Sequence, residues 1–408
     1  MTQNRTRQKT VGSSTARLLL GSLLLVAALL AGCPERKTGR EEMTREERLR
    51  KSRKAARKVQ KMVSTDGQPL VAWGTKQDVP PRPEEPQSLP KTEKGHWWNQ
   101  EYAGWKTEKV NIPESPADGA WGKEIVLIRA GDHPYWTAYM KGFKRVADAF
   151  NMDVTIYNSN WNIVLQAQQT EQAINQRPDM IIFAPVDPTS CTLLLREINR
   201  AGVPVIASNT LISNEAMKYV ISWTGPDDWG QFRMLARRFA DAMDKTGGYA
   251  IVRHMPGSSC FFARTYGPIT TFKDYGPEME LLAMNTANLK SAQTMELVSA
   301  WLTKYGQKLD GLILPGDGFS LTGALEAVQS ANREDITIVA AGSSETGLQA
   351  VKDGEVLGIT YQTAEGDGAL ACFTAAQWLN GKDLPPVRYL PKEVITQQKV
   401  DTYLPAQW

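Results

Sequence analysis

The stretch "GDHPYW" places Asp132, His133, Tyr135 and Trp136 around a proline, directly after the apolar run Ile125 to Ile128. These are hydrogen-bonding and stacking groups, and no core needs them at the end of a buried strand. They do not form a set arranged for covalent chemistry. The chain has only three histidines, His96, His133 and His254; His254 lies at a strand end, where a catalytic group could sit, but no base or carboxylate pairs with it in sequence. No nucleophile elbow, His-Glu-x-x-His, P-loop or paired-cysteine motif is present. "PGDGFSLTGA" follows a strand and opens a helix, but its third glycine is misplaced for a dinucleotide loop, and a tight turn accounts for Gly316 and Gly318. Cys191, Cys260 and Cys372 match no zinc spacing and read as small buried apolar side chains. Enzymatic chemistry, a cofactor and a metal site are therefore not expected.

The elements that position this cluster follow a regular rhythm from Glu124 onward. Short apolar runs alternate with amphipathic stretches of helical length, the pattern of βαβ units and parallel sheets. Ile125 to Ile128 is the first strand, and its helix puts Tyr139, Phe143, Val146 and Phe150 on one face. "MDVTIY", "DMIIFAP", "VPVIAS" and "YVIS" supply further strands, with Ile163, Ala167, Thr170 and Ile174 marking the face of the helix between the first two. The rhythm repeats after a helix from about Asp227 to Lys245, with strands at "YAIVR", "MELLAM", "GLILP", "ITIVAA" and "VLGITYQ". A last helix near Gly366 to Leu379 is placed to cross back onto the first set. The fold class is α/β, with two doubly wound parallel-sheet lobes. In such sheets ligands bind outside the carboxyl ends of the strands, which is where Gly131 to Trp136 sits.

Charge is unevenly distributed. The first 63 residues carry a net +11, so the remainder carries −8 in a chain whose total is +3. An acidic body argues against nucleic acid as a partner. The run "LLLGSLLLVAALLAGC" has the length and composition of a secretory h-region, not of a spanning helix. Its end, Leu30-Ala31-Gly32-Cys33, resembles the lipobox of bacterial lipoproteins, which implies that Cys33 becomes a lipidated N-terminus outside the cytoplasm. Residues 40 to 62 read as a solvated, partly helical spacer with almost no apolar face. Its cations suit anionic headgroups, at ~1 kcal/mol each near a surface. The segment 64 to 120 is proline-rich, then carries Trp97, Trp98, Trp105 and Trp121, and is expected to lie on the folded body.

From residue 123 to 404 the chain resembles the type I periplasmic binding proteins, the ribose- and galactose-binding group that feeds sugars to ABC transporters. The resemblance is carried by "DHPYW", "PVDPTSCTLLLREINRAGVPVIASN", "RTYGPITTF", "LPGDGFSLTGALEAVQ" and "AVKDGEVLGITYQ", in that order. It implies the type I periplasmic binding protein fold, two lobes joined by a hinge and closing on a small polar ligand. His133, Tyr135 and Trp136 match the first loop of that group, whose aromatics suit the C–H face of a sugar ring. Arg264, with Gly267 three residues on, matches an arginine whose planar donors fit adjacent hydroxyls. Gly316 and Asp317 match a polar pair, and Gln362 a hinge-proximal glutamine. Two positions depart. Asn209 stands where an aspartate usually ends the fourth strand, and Gly342 where one usually follows "IVAA". Asp132 and Asp227 are candidate replacements for the missing carboxylates, and the ligand is expected among sugars, polyols or cyclitols.

The resemblance implies a monomer that hands its ligand to an ABC permease from the cell envelope. The alternative is a lipoprotein that presents its ligand to a membrane receptor or histidine kinase. The expected organisation is a lipoprotein signal peptide at 1–33, a tether and linker at 34–122, a first lobe of 123–225 with 363–390, and a second lobe of 226–362 with 391–408.

Overall fold

In the computed structural model of the chain, residues 43–76 and 78–408 are described, and residues 44–408 form one unit. The signal peptide, Cys33 and the start of the tether lie outside the described residues.

Two sheets of six strands organise the body. The strands are β1 (Glu124–Arg129), β2 (Asp153–Asn158), β3 (Met180–Phe183), β4 (Val205–Ser208), β5 (Trp223–Gly225), β6 (Thr246–Arg253), β7 (Glu278–Thr286), β8 (Leu309–Leu314), β9 (Thr337–Ala340), β10 (Gly358–Thr360), β11 (Val387–Tyr389) and β12 (Val394–Ile395). The first-lobe sheet has the order β11-β5-β4-β3-β1-β2 and the second β12-β10-β9-β8-β6-β7. All pairings are parallel except β10 with β12. Ile125 to Ile128 is apolar at successive positions because helices cover both faces of an internal parallel strand. Ile125 and Leu127 point into one core and Val126 and Ile128 into the other, and all four are buried. Tyr139, Phe143, Val146 and Phe150 are fully buried, on the face their spacing predicts.

Three passages link the lobes: β5 into the helix Asp228–Ala242, β10 into the helix Ala364–Leu379, and β11 into β12. Ala364–Leu379 packs against Pro134–Ala149 of the first lobe, as its place in the sequence suggests. Two glycines allow the close approach. A Cβ on Gly142 would strike the backbone of Glu365, and one on Gly368 the backbone of Tyr139.

Several local expectations shift. The fifth strand is Trp223–Gly225, just beyond "YVIS". The helix Ile163–Gln176 buries Gln166, Gln169, Thr170 and Ala173 and leaves Ile163 and Val164 exposed. The reason is polar: Gln166 bonds Ala184 O and receives Val186 N–H, and Gln169 bonds Asn158 O and Ser159 Oγ. These glutamines satisfy backbone groups at the strand ends that apolar side chains would strand.

The spacer differs most from expectation. Arg45–Val59 is a helix opened by a Thr44–Glu47 capping box, and it buries Ser52, Ala55 and Val59. That narrow stripe at i, i+3 and i+7 is enough to dock it on the first lobe, where Ala55 and Val59 join the core around Phe143. The tryptophan segment touches both lobes. Trp97 stacks on Tyr266 at 4.1 Å, and Glu101 pairs with Arg233, both in the second lobe. Trp105 bonds Tyr389, and Lys109 donates to Met217 O and Val220 O, all in the first lobe.

Candidate functional site

In the first lobe, β1 ends at Arg129 and the chain turns into the helix Pro134–Ala149. His133 is its N-cap, with Nδ1 accepting from Tyr135 N at 3.2 Å, and Pro134 sits at the first helical position, where a missing N–H costs nothing. Tyr135 is thereby aimed at Asp367, and its hydroxyl donates to Oδ2 at 2.9 Å. Asn209, in a left-handed conformation (φ 65°) after β4, donates to the same oxygen at 2.7 Å. Oδ1 of Asp367 is buried and has no partner. Burial pushes the Asp367 carboxyl up to about 7, against the bonds from Asn209 and Tyr135 and with help from the Asp228 charge.

In the second lobe, Arg264 lies in the helix Ser259–Tyr275, capped by Ser258. Its Nε and Nη2 donate to Asp228 Oδ1 at 3.0 and 2.8 Å, and Nη1 to Pro315 O at 2.5 Å. Asp317 follows β8. Its N–H donates to Ala341 O at 2.7 Å, and its Oδ2 accepts from Ser344 N at 2.8 Å. Its Oδ1 is buried without a partner, and burial pushes its carboxyl up to about 7 despite the Ser344 bonds. Gly342 has φ 121°, and a Cβ there would strike the Asp317 carboxylate. Gln362, at the passage from β10, bonds Gln231 at 3.3 Å. Burial disfavours charge on the His254 imidazole, lowering it to about 3, and its Nδ1 lies 2.8 Å from Ser258 Oγ.

The lobes face each other across this set. The Asp228 carboxylate of the second lobe acts electrostatically on both Tyr135 and Asp367 of the first. Trp408 joins them: its ring lies 5.5 Å from Tyr135 and 5.8 Å from His133, while its carbonyl accepts from Glu345 N in the second lobe. Its Nε1 is buried and unpartnered.

The other predicted residues go elsewhere. Asp132 is exposed, and its carboxylate is taken by Arg129 and Asn158. Asp227 caps the helix Asp228–Ala242 and pairs with Lys392 and Lys76 at the hinge. Burial opposes its charge, but the two lysines hold its carboxyl below the usual range. Both carboxylates are thus already engaged by protein partners. Trp136 is 3% exposed and packs on Tyr139 at 4.9 Å in the first-lobe core. Arg264 is oriented by Asp228. Asp228, Asp367 and Trp408, which the structure brings to this set, were not singled out in the sequence. Asp367 left no distinctive sign, since acids are ordinary in the first turn of a helix.

Residues 125–383 match the periplasmic binding protein domain. The chain belongs to that family. This makes it an extracytoplasmic binding protein and not an enzyme, with the two-lobed type I fold. It is 28% identical to a xylitol-binding protein of Mycolicibacterium smegmatis over 263 residues, 64% of this chain and 73% of the relative. It is 20% identical to the ribose import binding protein of Escherichia coli over 275 residues, 67% of this chain and 90% of the relative. Among solved structures, an ABC transporter solute binding protein from Bacillus halodurans with bound myo-inositol superposes with a TM-score of 0.64 at 23% identity, covering 71% of this chain and 99% of that one. Among the described residues no cluster of His, Cys, Asp and Glu could hold a metal ion, and no helix is long and apolar enough to cross a membrane.

Proposed function

We propose that this periplasmic binding protein captures a sugar, polyol or cyclitol between its lobes and delivers it to an ABC permease. The observation that carries the reading is the pair of buried carboxylates, Asp367 and Asp317, one per lobe, each with an oxygen left free. A ligand rich in hydroxyls supplies the donors those oxygens lack, and each such bond to a charged group is worth ~1.5–3 kcal/mol. Arg264, locked in its plane by Asp228, offers its remaining N–H donors to ligand oxygens, while Tyr135 and His133 shape the first-lobe wall and Gln362 the hinge side. Asn209 acts beside Asp367, and Trp136 supports the wall from behind. Relatives named for xylitol and ribose, and a neighbour holding myo-inositol, support this ligand class. The three passages between the lobes serve as the hinge for capture and release. Cys33, lipidated, anchors a monomer to the membrane, with the basic helix beside the headgroups.

A thermal-shift panel of sugars, polyols and cyclitols tests the proposal. A ligand that binds only the folded protein stabilises it by RT ln(1 + [L]/Kd), ~2.7 kcal/mol at a hundredfold excess over Kd. At least one compound should raise the melting temperature in a saturable way. A folded protein that responds to none of them refutes the ligand class.

A further inference from the structure

We propose that Asp367 is itself a ligand-binding residue, its free Oδ1 accepting a hydrogen bond from a hydroxyl of the bound polyol or sugar. The inference rests on the ligand class proposed above and adds a residue that neither sequence spacing nor resemblance singled out.

The two carboxylates in the first turn of the helix Ala364–Leu379 are both fully buried, and they are treated in opposite ways. Glu365 is neutralised by Lys141 and Arg145 and also bonds Thr65. Among the described residues Asp367 has no cation partner; its bonds come from the neutral groups of Tyr135 and Asn209, both on Oδ2. A buried carboxylate without a cation is costly, and an oxygen without a donor adds to the cost. Packing does not call for this charge, since an asparagine would fill the same volume. The location does explain it. Asn209 carries an amide where an acid is expected, and that amide donates to Asp367, so the negative charge of this wall is carried by the helix instead of the strand end. Trp408 Nε1 is an unpartnered donor, and its ring lies 5.5 Å from that of Tyr135. A hydroxyl is donor and acceptor at once, so one ligand class can answer both orphan atoms.

The charged and titratable groups around Asp367 are Tyr135 and Tyr139 from Pro134–Ala149 and Asp228 from Asp228–Ala242, with the neutral Asn209 from the β4 end. None is a cation. Raising the pH through about 7 should therefore charge Asp367 and strengthen its bond to a ligand hydroxyl. Asp317 titrates in the same range, so the profile is compared with that of Asp367→Asn.

The test uses the full chain with xylitol, myo-inositol and D-ribose as probes, in thermal melts and titration calorimetry. At about pH 8, Asp367→Asn without ligand should melt higher than wild type, because a buried charge has gone. It should bind the probe about tenfold to a hundredfold more weakly. A purely structural aspartate would give the reverse, a lower melting temperature with unchanged affinity. Should the variant fail to fold, Asp317→Asn isolates the Asp367 titration: affinity that still rises between about pH 6 and 8 in that variant supports the inference, and a flat profile overturns it. Asp367→Asn binding as tightly as wild type overturns this inference alone. A wild type that binds none of the three probes overturns the ligand class and the inference with it.

Discussion

Replacing Arg264 by alanine strands the Asp228 carboxylate. Arg264 makes two bonds to Asp228 Oδ1 and a third to Pro315 O. Both side chains of the pair are nearly out of solvent, at 10% and 9% exposure. Breaking such a pair from one side costs about 3–5 kcal/mol, because the remaining charge stays buried. At roughly 2–4 °C per kcal/mol this corresponds to a fall of roughly 6–20 °C in melting temperature. Arg264→Lys keeps the charge but cannot reach Asp228 and Pro315 with one planar fork. It should lie between wild type and alanine in stability, and bind polyols nearly as poorly as alanine. Asp228→Asn removes the stranded charge, so Arg264→Ala/Asp228→Asn should cost less than the two single changes added, by roughly 1–3 kcal/mol. Thermal and denaturant melts of the four proteins close the cycle. Strict additivity would refute the buried pair, and a lysine variant with wild-type affinity would show that the arginine supplies charge alone.

Other expectations follow from the same contacts. Trp97→Ala should destabilise by about 3–5 kcal/mol, since the ring is buried against Tyr266 and Trp229; limited proteolysis should then cut residues 80–105 sooner, and an unchanged cutting pattern counts against a packed segment. Asp227 has a lowered folded pKa, so its contribution is fully present above the unfolded carboxylate value of about 3.9 and is lost as pH falls through the folded one. Asp227→Asn should flatten that acid limb in melts followed against pH, and an identical limb would contradict the pairing with Lys76 and Lys392. Cys33→Ser should leave an unprocessed precursor on gels and take up no labelled fatty acid; continued labelling removes the anchor.

The lobes were legible because their strands are short, apolar and evenly spaced, so periodicity alone marks Ile125–Ile128 or "GLILP" as buried. The helix Ile163–Gln176 was misread by one position because its inward face is chosen by glutamines serving strand-end backbone groups, and those partners come from elsewhere in the sequence. The docking of Arg45–Val59 was hidden for a related reason. Three small or β-branched residues among many cations bury little area, and only a matching groove gives them meaning. At the site, the motif positions at 133, 135, 264 and 362 could be read locally. Asp228 and Asp367 could not, since each acquires its role from a partner dozens to hundreds of residues away: Arg264 for one, Tyr135 and Asn209 for the other.

The central claim is that a single hydroxyl-rich ligand is held by both lobes at once. Titration calorimetry of xylitol, myo-inositol and D-ribose into wild type, Tyr135→Phe and Arg264→Lys tests it most directly, since the two changes lie in different lobes and preserve volume or charge. The account predicts one site per chain for at least one of these compounds, and an affinity about tenfold or more weaker in each variant. Saturable wild-type binding that one of the two changes leaves untouched would place the ligand on one lobe only, and binding that neither change weakens would place it outside this set; either result would contradict the account.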